Sequence, residues 1–578
     1  MYPKAHNDIF RPLDDGQIRL LLLQPGPVSE PLRGRLETVT LLRPPHYEAL
    51  SYTWGDPERA EKLLVEGREV GITKNLHVAL LHLRHATDVK ALWVDALCIC
   101  QEDHVEKSTQ VRMMGDIFRN ANRTWIWLGE ASHEDEVVME HLCTSAGESA
   151  AADLPIHALQ CFFGRAWFRR LWILQEALLS KQPIAVYGNK QTDFDRVVRL
   201  STELIFDNLG NNRGDPFVHC YLERCLHEWD RLKEVLSERG GWPLVYAMPM
   251  TEQLQCTYFE DRVFALLGLA TDADRESIRV DYTSSLERIQ TELSAHLINS
   301  TDNPLAALHY MGVSDSSDQP SWSRDWREEK KVKWHFWRKA GDAQERWQIL
   351  PKTQVRASGH PWLDAEAEKR AWRLTAADRG AGDAAHFSPD LKMLALKGVS
   401  VDTVGSVQLP PVDGDADSWK ATCEAWRQTA LDEASAYPGS QERLEAFCET
   451  LCRGSYRDDK GSLMTNCGEA YEAWIRGEDT SSSEGRPGND FGFRMGQLRS
   501  GRSFVITSKG FVGLAPEKAL AGDLVCFFMG NRDPFILRPK GTTSTEYRFI
   551  GETLITGMME GELLAKADES EVTEFWIE

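Results

Sequence analysis

The sequence predicts an α/β fold at the N-terminus, built on a parallel sheet, then a mainly helical middle region and a small antiparallel β domain at the C-terminus. Over residues 14–190, short apolar runs alternate with amphipathic segments, a pattern typical of helices packed on a parallel sheet. Residues 191–390 follow a mostly helical pattern rich in charge and tryptophan. Over residues 391–578, closely spaced apolar runs separated by turn residues predict the antiparallel sheet.

The elements of the N-terminal region are predicted from hydrophobic period and turn chemistry. Apolar residues three and four positions apart predict helices, whereas short runs bounded by glycine or proline predict strands. In chain order the predicted elements are a strand ending at Trp54, a hairpin over Lys62–Thr73 that turns at Glu66-Gly67, a helix capped by Asn75, a strand over Ala91–Ile99, a helix over Glu106–Ala121, a strand over Arg123–Gly129, a helix over Phe168–Leu179 and a strand over Pro183–Gly188.

The C-terminal region is predicted to combine a sheet with a helical insert. A strand near Lys392–Val399 precedes the insert, which runs from about Ser418 to Arg476. Residues 477–492 are rich in Ser, Glu, Gly and Pro, which predicts a mobile loop. The remaining predicted strands are Arg502–Thr507, Phe511–Leu514, Leu524–Phe528, Phe535–Leu537 and Tyr547–Ile550.

Composition excludes several classes of protein. The 578-residue chain has a net charge of −22, which repels phosphate backbones and argues against nucleic acid as a partner. No run of about 18 apolar residues is present, so no membrane span is predicted. The N-terminus also has no apolar core of a signal peptide, and we therefore expect a cytoplasmic protein. The twelve cysteines include no CxxC pair, so no metal site is predicted.

Three ordered blocks in the first third of the chain resemble heterokaryon-incompatibility (HET) domains. They are Tyr47-Glu-Ala-Leu-Ser-Tyr-Thr-Trp-Gly55, then Asn75-Leu76 to Leu83-Arg84, and then Leu92-Trp-Val-Asp-Ala-Leu-Cys-Ile-Cys-Gln101 continued to Trp127-Leu-Gly129. The segments Arg165–Glu176, Asp261–Leu269 and Pro320–Trp326 also resemble the family, as do several C-terminal runs. The resemblance is most specific over about residues 47–190.

This resemblance implies a fungal regulator of cell death in heterokaryon incompatibility. Such a protein is expected to self-associate on activation and to interact with an incompatibility partner protein. HET domains are similar to TIR domains, which have a flavodoxin-like α/β fold and in several cases cleave NAD with a helical glutamate. Arg170-Leu-Trp-Ile-Leu-Gln-Glu-Ala177 resembles the TIR pattern Ser-X-Trp-Cys-X-X-Glu-Leu. The similarity places the catalytic role on Glu176, with NAD as the substrate and no cofactor required.

A carboxylate such as that of Glu176 is suited to the cleavage of NAD. Cleavage of an N-glycosidic bond passes through a ribosyl cation, which a nearby carboxylate stabilises, and nicotinamide leaves as a neutral group. The structural alternative for Glu176 is a helix-surface glutamate paired with Arg165, Arg169 or Arg170. Trp172 is either core and pocket wall or a surface on which a nucleobase stacks.

Further ligand-binding candidates lie where predicted strands end. Ligands of open α/β sheets bind outside the carboxyl ends of strands, which favours Ser51, Tyr52, Trp54 and Gly55 as lining residues. Gly55 alternatively only makes the turn before Asp56-Pro57. Asp95 interrupts an apolar run, so it is either a ligand for a ribose or phosphate group or a structural carboxylate bonded to backbone N–H groups or to an arginine such as Arg112. Arg112 is the last candidate at the same edge.

Other catalytic signatures are absent from the sequence. It contains no GxxxxGK[ST], HExxH or GxSxG motif. Two hypotheses therefore remain open. In the first, the chain cleaves NAD when it self-associates. In the second, the domain is a non-enzymatic signalling module that acts only by assembling.

Overall fold

The computed structural model divides the chain into two compact units, Met1–Leu286 and Glu287–Glu578. The structure describes residues 9–144, 154–210, 229–251, 254–299, 305–309, 311, 319–326, 385–411, 416–433, 436–439, 441–452, 467–476, 501–529, 533–541, 545–559 and 569–578. The loop predicted over residues 477–492 lies outside these ranges.

A nine-stranded sheet organises the first unit, in the order β5-β4-β2-β1-β6-β3-β7-β8-β9. Its four central strands β6, β3, β7 and β8 are parallel to one another, and the outer pairs β1–β2, β4–β5 and β8–β9 are antiparallel. The strands are β1 (Gln17–Leu23), β2 (Arg33–Thr40), β3 (Glu48–Ser51), β4 (Glu61–Val65), β5 (Arg68–Ile72), β6 (Lys90–Trp93), β7 (Thr124–Trp127), β8 (Pro183–Tyr187) and β9 (Lys190–Asp193).

The α/β class is confirmed, but the predicted parallel sheet is only its central part. The sheet is mixed, because a strand's apolar pattern reports how it is buried and not which direction its neighbour runs. All four residues of β7 are buried, as expected of a central strand covered on both faces. Numbered along the chain, the parallel strands stand in the order 2-1-3-4, so the order reverses between β3 and β7. Ligands of open α/β sheets bind at such a reversal, beyond the carboxyl ends of the strands.

The hairpin of β4 and β5 turns at Glu66 and Gly67, as the sequence predicts. Both residues have positive φ, 51° and 83°, which is the conformation that two-residue hairpin turns of type I′ require. The glycine adopts it without steric cost, whereas Glu66 is held there by the pairing of the flanking strands. The turn therefore fixes the register of the hairpin.

Helices cover the first sheet and fill the rest of this unit. A buried face of Leu76, Ala79, Leu80 and Leu83 packs the first helix on the sheet. The helices are α1 (Lys74–Leu83), α2 (Asp95–Cys98), α3 (His104–Asn120), α4 (Glu136–Thr144), α5 (Ile156–Phe163), α6 (Ile173–Leu178), α7 (Phe194–Gly210), α8 (Trp229–Arg239), α9 (Leu244–Met250), α10 (Asp261–Leu267) and α11 (Asp272–Ser277), with a 3₁₀ turn at Ala166–Arg169.

Three predicted elements of this unit differ from the observed ones. Thr73, not Asn75, caps α1, and its hydroxyl accepts a hydrogen bond from the Leu76 amide. The run Ala91–Ile99 is a strand only to Trp93 and then turns into α2, because periodicity cannot separate a buried strand from a buried helical turn. The helix predicted over Phe168–Leu179 is a 3₁₀ turn, an extended residue and then α6.

A second nine-stranded sheet organises the other unit. Five of its strands, β14, β15, β16, β18 and β11, pair in a closed ring. The strands are β10 (Ala385–Phe387), β11 (Leu394–Gln408), β12 (Arg502–Thr507), β13 (Val512–Pro516), β14 (Leu524–Phe528), β15 (Pro534–Pro539), β16 (Glu546–Glu552), β17 (Leu554–Ile555) and β18 (Thr573–Ile577).

The sequence predicts an antiparallel sheet, but the closed ring requires an exception. An odd number of strands cannot alternate in direction around a ring, so at least one neighbouring pair must be parallel. That pair is β16 with β18. The 15-residue β11 pairs with β18 and β14 along its first part and with β12 along its last, with irregular registers after Ser400 and Val404. The prediction of a strand near Lys392–Val399 thus found only the start of β11.

The helices of this unit are α12 (Leu286–Ile298), which begins at the unit boundary, α13 (Ala416–Leu431), α14 (Arg443–Cys452) and α15 (Cys467–Arg476). The last three fall within the predicted helical insert and pack Trp419, Trp426, Phe447 and Tyr471 into one buried cluster with Phe504 of the sheet. Across the described ranges of both units, no helix is both long and apolar enough to cross a bilayer.

Candidate functional site

The carboxyl end of β3 meets helix α6 at the strand-order reversal. Ser51 is the last residue of β3, and its side chain is buried. Its hydroxyl donates a hydrogen bond to the carboxylate of Glu176 on α6. Two predicted site residues that are 125 positions apart in the sequence are thus in direct contact.

A tryptophan fixes the direction of that hydrogen bond. The indole Nε1 of Trp167 lies 2.8 Å from the Ser51 hydroxyl oxygen. An indole N–H can only donate, so the Ser51 oxygen accepts this bond and its own proton points towards Glu176. The chain from Trp167 to Ser51 to Glu176 therefore presents a hydrogen-bond donor to the glutamate.

Arg170 supplies the positive charge of the cluster. Its guanidinium donates to the Tyr52 carbonyl at 2.6 Å and lies 3.4 Å from the nearer Glu176 oxygen. Arg170 can reach Glu176 because it is extended between the 3₁₀ turn and α6. Its backbone forms a bridge to Gln255, which keeps it out of the helix.

A second carboxylate, Asp95, lies beside this cluster at the first turn of α2. It accepts hydrogen bonds from the Trp54 indole at 2.8 Å and from the Ala96 amide at 2.7 Å. The predicted structural partner Arg112 is not among these bonds. Trp54 is 37% exposed and Asp95 is half-buried beneath it, so this is the more accessible part of the cluster.

Trp172 connects the cluster to a third carboxylate. Its side chain is half-buried and lies close to Asp261 at the start of α10, which accepts a hydrogen bond from the Tyr282 hydroxyl at 2.6 Å. The Lys107 ammonium lies 4.1 Å from the centre of the Tyr282 ring and 4.7 Å from that of Tyr258, within the range of cation–π attraction.

Burial sets the electrostatics of these groups. It raises the pKa of Glu176, an effect that Arg170 and the Ser51 hydroxyl oppose and that the neighbouring Asp95 reinforces. Burial likewise raises the pKa of Asp95 and of Asp261 and lowers the pKa of Lys107. Each shift disfavours the charged form, as expected where water is excluded.

Gly55 and Arg112, which the sequence analysis placed at the ligand site, make no contact of this kind with Glu176. Gly55 has a φ of 72° and is exposed, so it makes the turn after β3. Arg112 lies on α3 and lines a cavity of about 640 Å³ between α3 and the residues following α8 and α10. The lining of this cavity includes none of the other predicted site residues within the described ranges. Arg112 is therefore apart from the Glu176 cluster.

The sequence reasoning missed several members of the cluster. Trp167, Asp261, Lys107 and Tyr282 were not among the predicted site residues, and Arg170 entered only as a structural partner of Glu176. They come from three separate chain segments, around Lys107, around Trp167 and around Asp261–Tyr282, so spacing along the chain carried no signal of their contact. The one available signal was the block Asp261–Leu269, which resembles the same family as the first third of the chain.

The cluster can stabilise positive charge. It holds two buried or half-buried carboxylates that already have oriented donors, beside an exposed indole on which a planar group can stack. Glu176 itself is 4% exposed, because Ser51, Trp167 and Arg170 cover it. Trp54 and Asp95 are more accessible than Glu176, and the partly exposed Arg170 lies between Glu176 and the surface.

Comparisons with known proteins agree with the sequence blocks. Residues 47–176 match the model of the family described as heterokaryon incompatibility protein (HET), and residues 436–577 match that of the Het-6 β-barrel domain. The chain is similar to heterokaryon incompatibility protein 6, OR allele, of Neurospora crassa, with 26% identity over 97% of this chain and 96% of that protein. No solved structure matches the chain.

Proposed function

We propose that this chain, which matches the HET family over residues 47–176, acts in heterokaryon incompatibility of filamentous fungi as a cytoplasmic effector of cell death. The support is its similarity along almost the whole length to an incompatibility protein of Neurospora crassa. A relative that aligns over both units supports a shared role for the whole chain rather than for one domain.

We further propose that the HET domain cleaves NAD at the bond between nicotinamide and ribose. The observation that carries this proposal is the contact of Glu176 with Ser51 where the strand order reverses. The 2-1-3-4 order of the parallel strands is compatible with a TIR-like or flavodoxin-like domain, within a mixed sheet. Under this proposal Glu176 is the catalytic residue.

In the reaction, water adds to the anomeric carbon of the ribose as the C–N bond breaks. The bonding electron pair leaves with nicotinamide, which becomes neutral, and the water gives up a proton to solvent. The ionised Glu176 stabilises the positive ribose in between, and the Ser51 hydroxyl, directed by Trp167, orients the carboxylate. Trp54 is suited to stack on one of the planar bases, and Asp95 is suited to accept from ribose hydroxyls.

Self-association fits the burial of Glu176. In the single chain this carboxylate is covered, so under this proposal NAD cleavage requires a shift of Arg170, which assembly would favour. A protein that is inactive as a monomer and active when assembled would be safe to keep in the cell. The incompatibility partner would act by promoting this assembly.

A non-enzymatic signalling module is the second candidate, and one observation favours it. The Glu176 carboxylate has its hydrogen-bonding needs met by Ser51 and Arg170 and is shielded from solvent, as in a structural ion pair. In that case the cluster holds α6 on the end of β3, and the domain acts only through the surfaces that it presents on assembly.

Nicotinamide release separates the two candidates. The purified full-length protein, concentrated until it assembles, is incubated with NAD, and nicotinamide is measured by chromatography. The enzymatic proposal predicts release that Glu176→Gln lowers by at least about 100-fold, because loss of one transition-state charge contact costs a factor of 10²–10³. Release should also rise with pH, since Glu176 acts ionised and burial raises its pKa.

Arg112→Gln is the matched control, because this exposed residue lines another cavity and should leave release unchanged. No release by the assembled wild type, or equal release by Glu176→Gln, would sink the enzymatic proposal. Toxicity on expression in a fungal host that survives Glu176→Gln would then favour the signalling module.

A further inference from the structure

Three potential metal ligands meet at one end of the first unit. They are Glu134, in the loop between β7 and α4, and His157 and Cys161, both on α5. One carboxylate oxygen, one ring nitrogen and the thiol sulfur all lie within 4.8 Å of one another. This group could not be predicted from the sequence, because one His-x₃-Cys pair is a weak signal and Glu134 is 23 residues from His157.

The helix presents its two ligands side by side. Residues four apart on an α-helix lie on the same face, one turn from each other. The buried face of α5 is formed by Ala158, Leu159 and Phe162, so His157 and Cys161 lie towards solvent, where an ion can enter. The amphipathic pattern of α5 thus both anchors the helix and leaves these side chains available.

The loop that carries Glu134 is held in place by its neighbour. Asp135 is 1% exposed and pairs with Arg165 at 2.9 Å and with the Tyr187 hydroxyl. The Tyr187 hydroxyl in turn accepts a hydrogen bond from the Ser132 amide at 2.5 Å. These bonds fix the backbone on both sides of Glu134, so its carboxylate is aimed at α5 by a rigid support.

The spacing of the ligand atoms matches a tetrahedral ion. Bond lengths of about 2.3 Å to sulfur and about 2.0–2.2 Å to nitrogen or oxygen put the ligand atoms of a tetrahedral Zn²⁺ site about 3.6 Å apart. The Cys161 sulfur lies 3.6 Å from the Glu134 oxygen and 3.7 Å from Nε2 of His157. Two edges of the tetrahedron are therefore formed already.

We propose that Glu134, His157 and Cys161 bind a Zn²⁺ ion, with water as the fourth ligand. One thiolate, one imidazole and one carboxylate make a borderline-soft set that suits Zn²⁺ and excludes Ca²⁺ and Mg²⁺, which prefer oxygen alone. The ion would tie α5 to the loop before α4. This site is independent of the Glu176 cluster and of its proposed activity.

Binding of Zn²⁺ displaces the thiol proton. Without metal, the Cys161 sulfur donates to Glu134 and contacts His157. When Zn²⁺ binds, the S–H bond breaks, its proton passes to solvent and the sulfur electron pair forms the Zn–S bond. Affinity should therefore increase with pH.

The test uses metal-free, full-length protein without a polyhistidine tag. Zn²⁺ is titrated in competition with a chromophoric chelator, and Co²⁺ is titrated separately to detect the thiolate-to-cobalt charge-transfer band. We expect one ion per chain, a Co²⁺ band for the wild type, and affinity at least about tenfold lower in Glu134→Gln and His157→Gln. Cys161→Ser should lose the band.

Cys143→Ser is the matched control, since Cys143 is an exposed cysteine of the neighbouring helix α4 outside the ligand group. It should keep the band and the affinity. No Zn²⁺ uptake by the wild type, or uptake of equal affinity by Cys161→Ser, would overturn the site and leave only adventitious binding. All substituted positions are exposed or partly exposed, so folding is expected to survive and is checked by circular dichroism.

Discussion

The Glu176 carboxylate is enclosed by a hydroxyl, an indole behind that hydroxyl and a guanidinium. Its burial costs stability whenever it is ionised, because water would solvate the charge better than these partners do. Such a group is retained either because it holds α6 in place or because it reacts. The two roles respond differently to removal of the charge alone.

At the residue scale we predict that Glu176→Gln gains stability relative to the wild type as pH rises. Below about pH 4, glutamate is protonated in both states and the difference is constant. Burial raises the pKa of Glu176 in the folded state above its value in the unfolded state. At pH values between these two pKa values the folded wild type binds more protons than the unfolded chain, so its stability falls as pH increases. The Glu176→Gln variant does not lose stability in this way, because glutamine does not ionise.

Urea unfolding at about pH 4 and about pH 7 measures this difference. Glu58→Gln is the control, because Glu58 is exposed, and its effect should be small at both pH values. If the wild type instead became more stable relative to Glu176→Gln at the higher pH, Arg170 would stabilise the Glu176 charge by more than burial destabilises it.

Among the elements, α3, α6 and α10 meet at two glycines. A Cβ atom on Gly115 of α3 would lie 2.8 Å from the Cα of Gly268, the residue after α10, and 3.3 Å from Leu179. The absence of side chains lets the helix backbones approach, and Gln175 of α6 fills the space beside Gly268. This contact sets the position of α6 and therefore of Glu176.

We predict that Gly115→Ala destabilises the protein, although alanine favours a helix by about 1 kcal/mol. The clash is with backbone, which cannot move aside, and overpacking of this kind costs about 1–3 kcal/mol. Thr109→Ala, on the exposed face of the same helix, is the control and should be neutral or slightly stabilising. Thermal unfolding of both variants checks the sign, and a higher midpoint for Gly115→Ala would contradict the close contact.

At the scale of the whole molecule, the second unit depends on its last strand. β18 lies between β11 and β16, so it closes the ring of five strands. Its side chains alternate between the two faces: Phe575 is 2% exposed and contacts Phe528 and Tyr547, whereas Trp576 is 38% exposed. The closing strand is thus bonded on both edges and packed on one face.

We therefore predict that Phe575→Ala destabilises the second unit by about 3–5 kcal/mol, as expected for a buried aromatic residue. Trp576→Ala removes a larger side chain from the same strand but should cost much less, because that side chain is partly in solvent. Thermolysin cleavage within residues 385–578, measured against urea concentration, reports the stability of this unit. Equal effects of the two substitutions would contradict the observed orientation of β18.

The sequence determined the elements and the family. The hairpin at Glu66-Gly67 could be predicted because two positive φ angles are demanded by local backbone geometry. The three HET blocks could be recognised because they are continuous segments, and Glu176 became the residue to test because the segment Arg170–Ala177 resembles a TIR pattern.

The tertiary structure decided strand direction, contacts and burial. The mixed directions of the outer strands, the ring closed by β18 and the approach of Gly115 to Gly268 depend on partners distant in the chain, which periodicity does not encode. For the same reason the sequence could name Ser51 and Glu176 separately but could not show that one donates to the other. Whether a carboxylate is solvated or enclosed depends on what packs over it, and that is fixed only when the chain has folded.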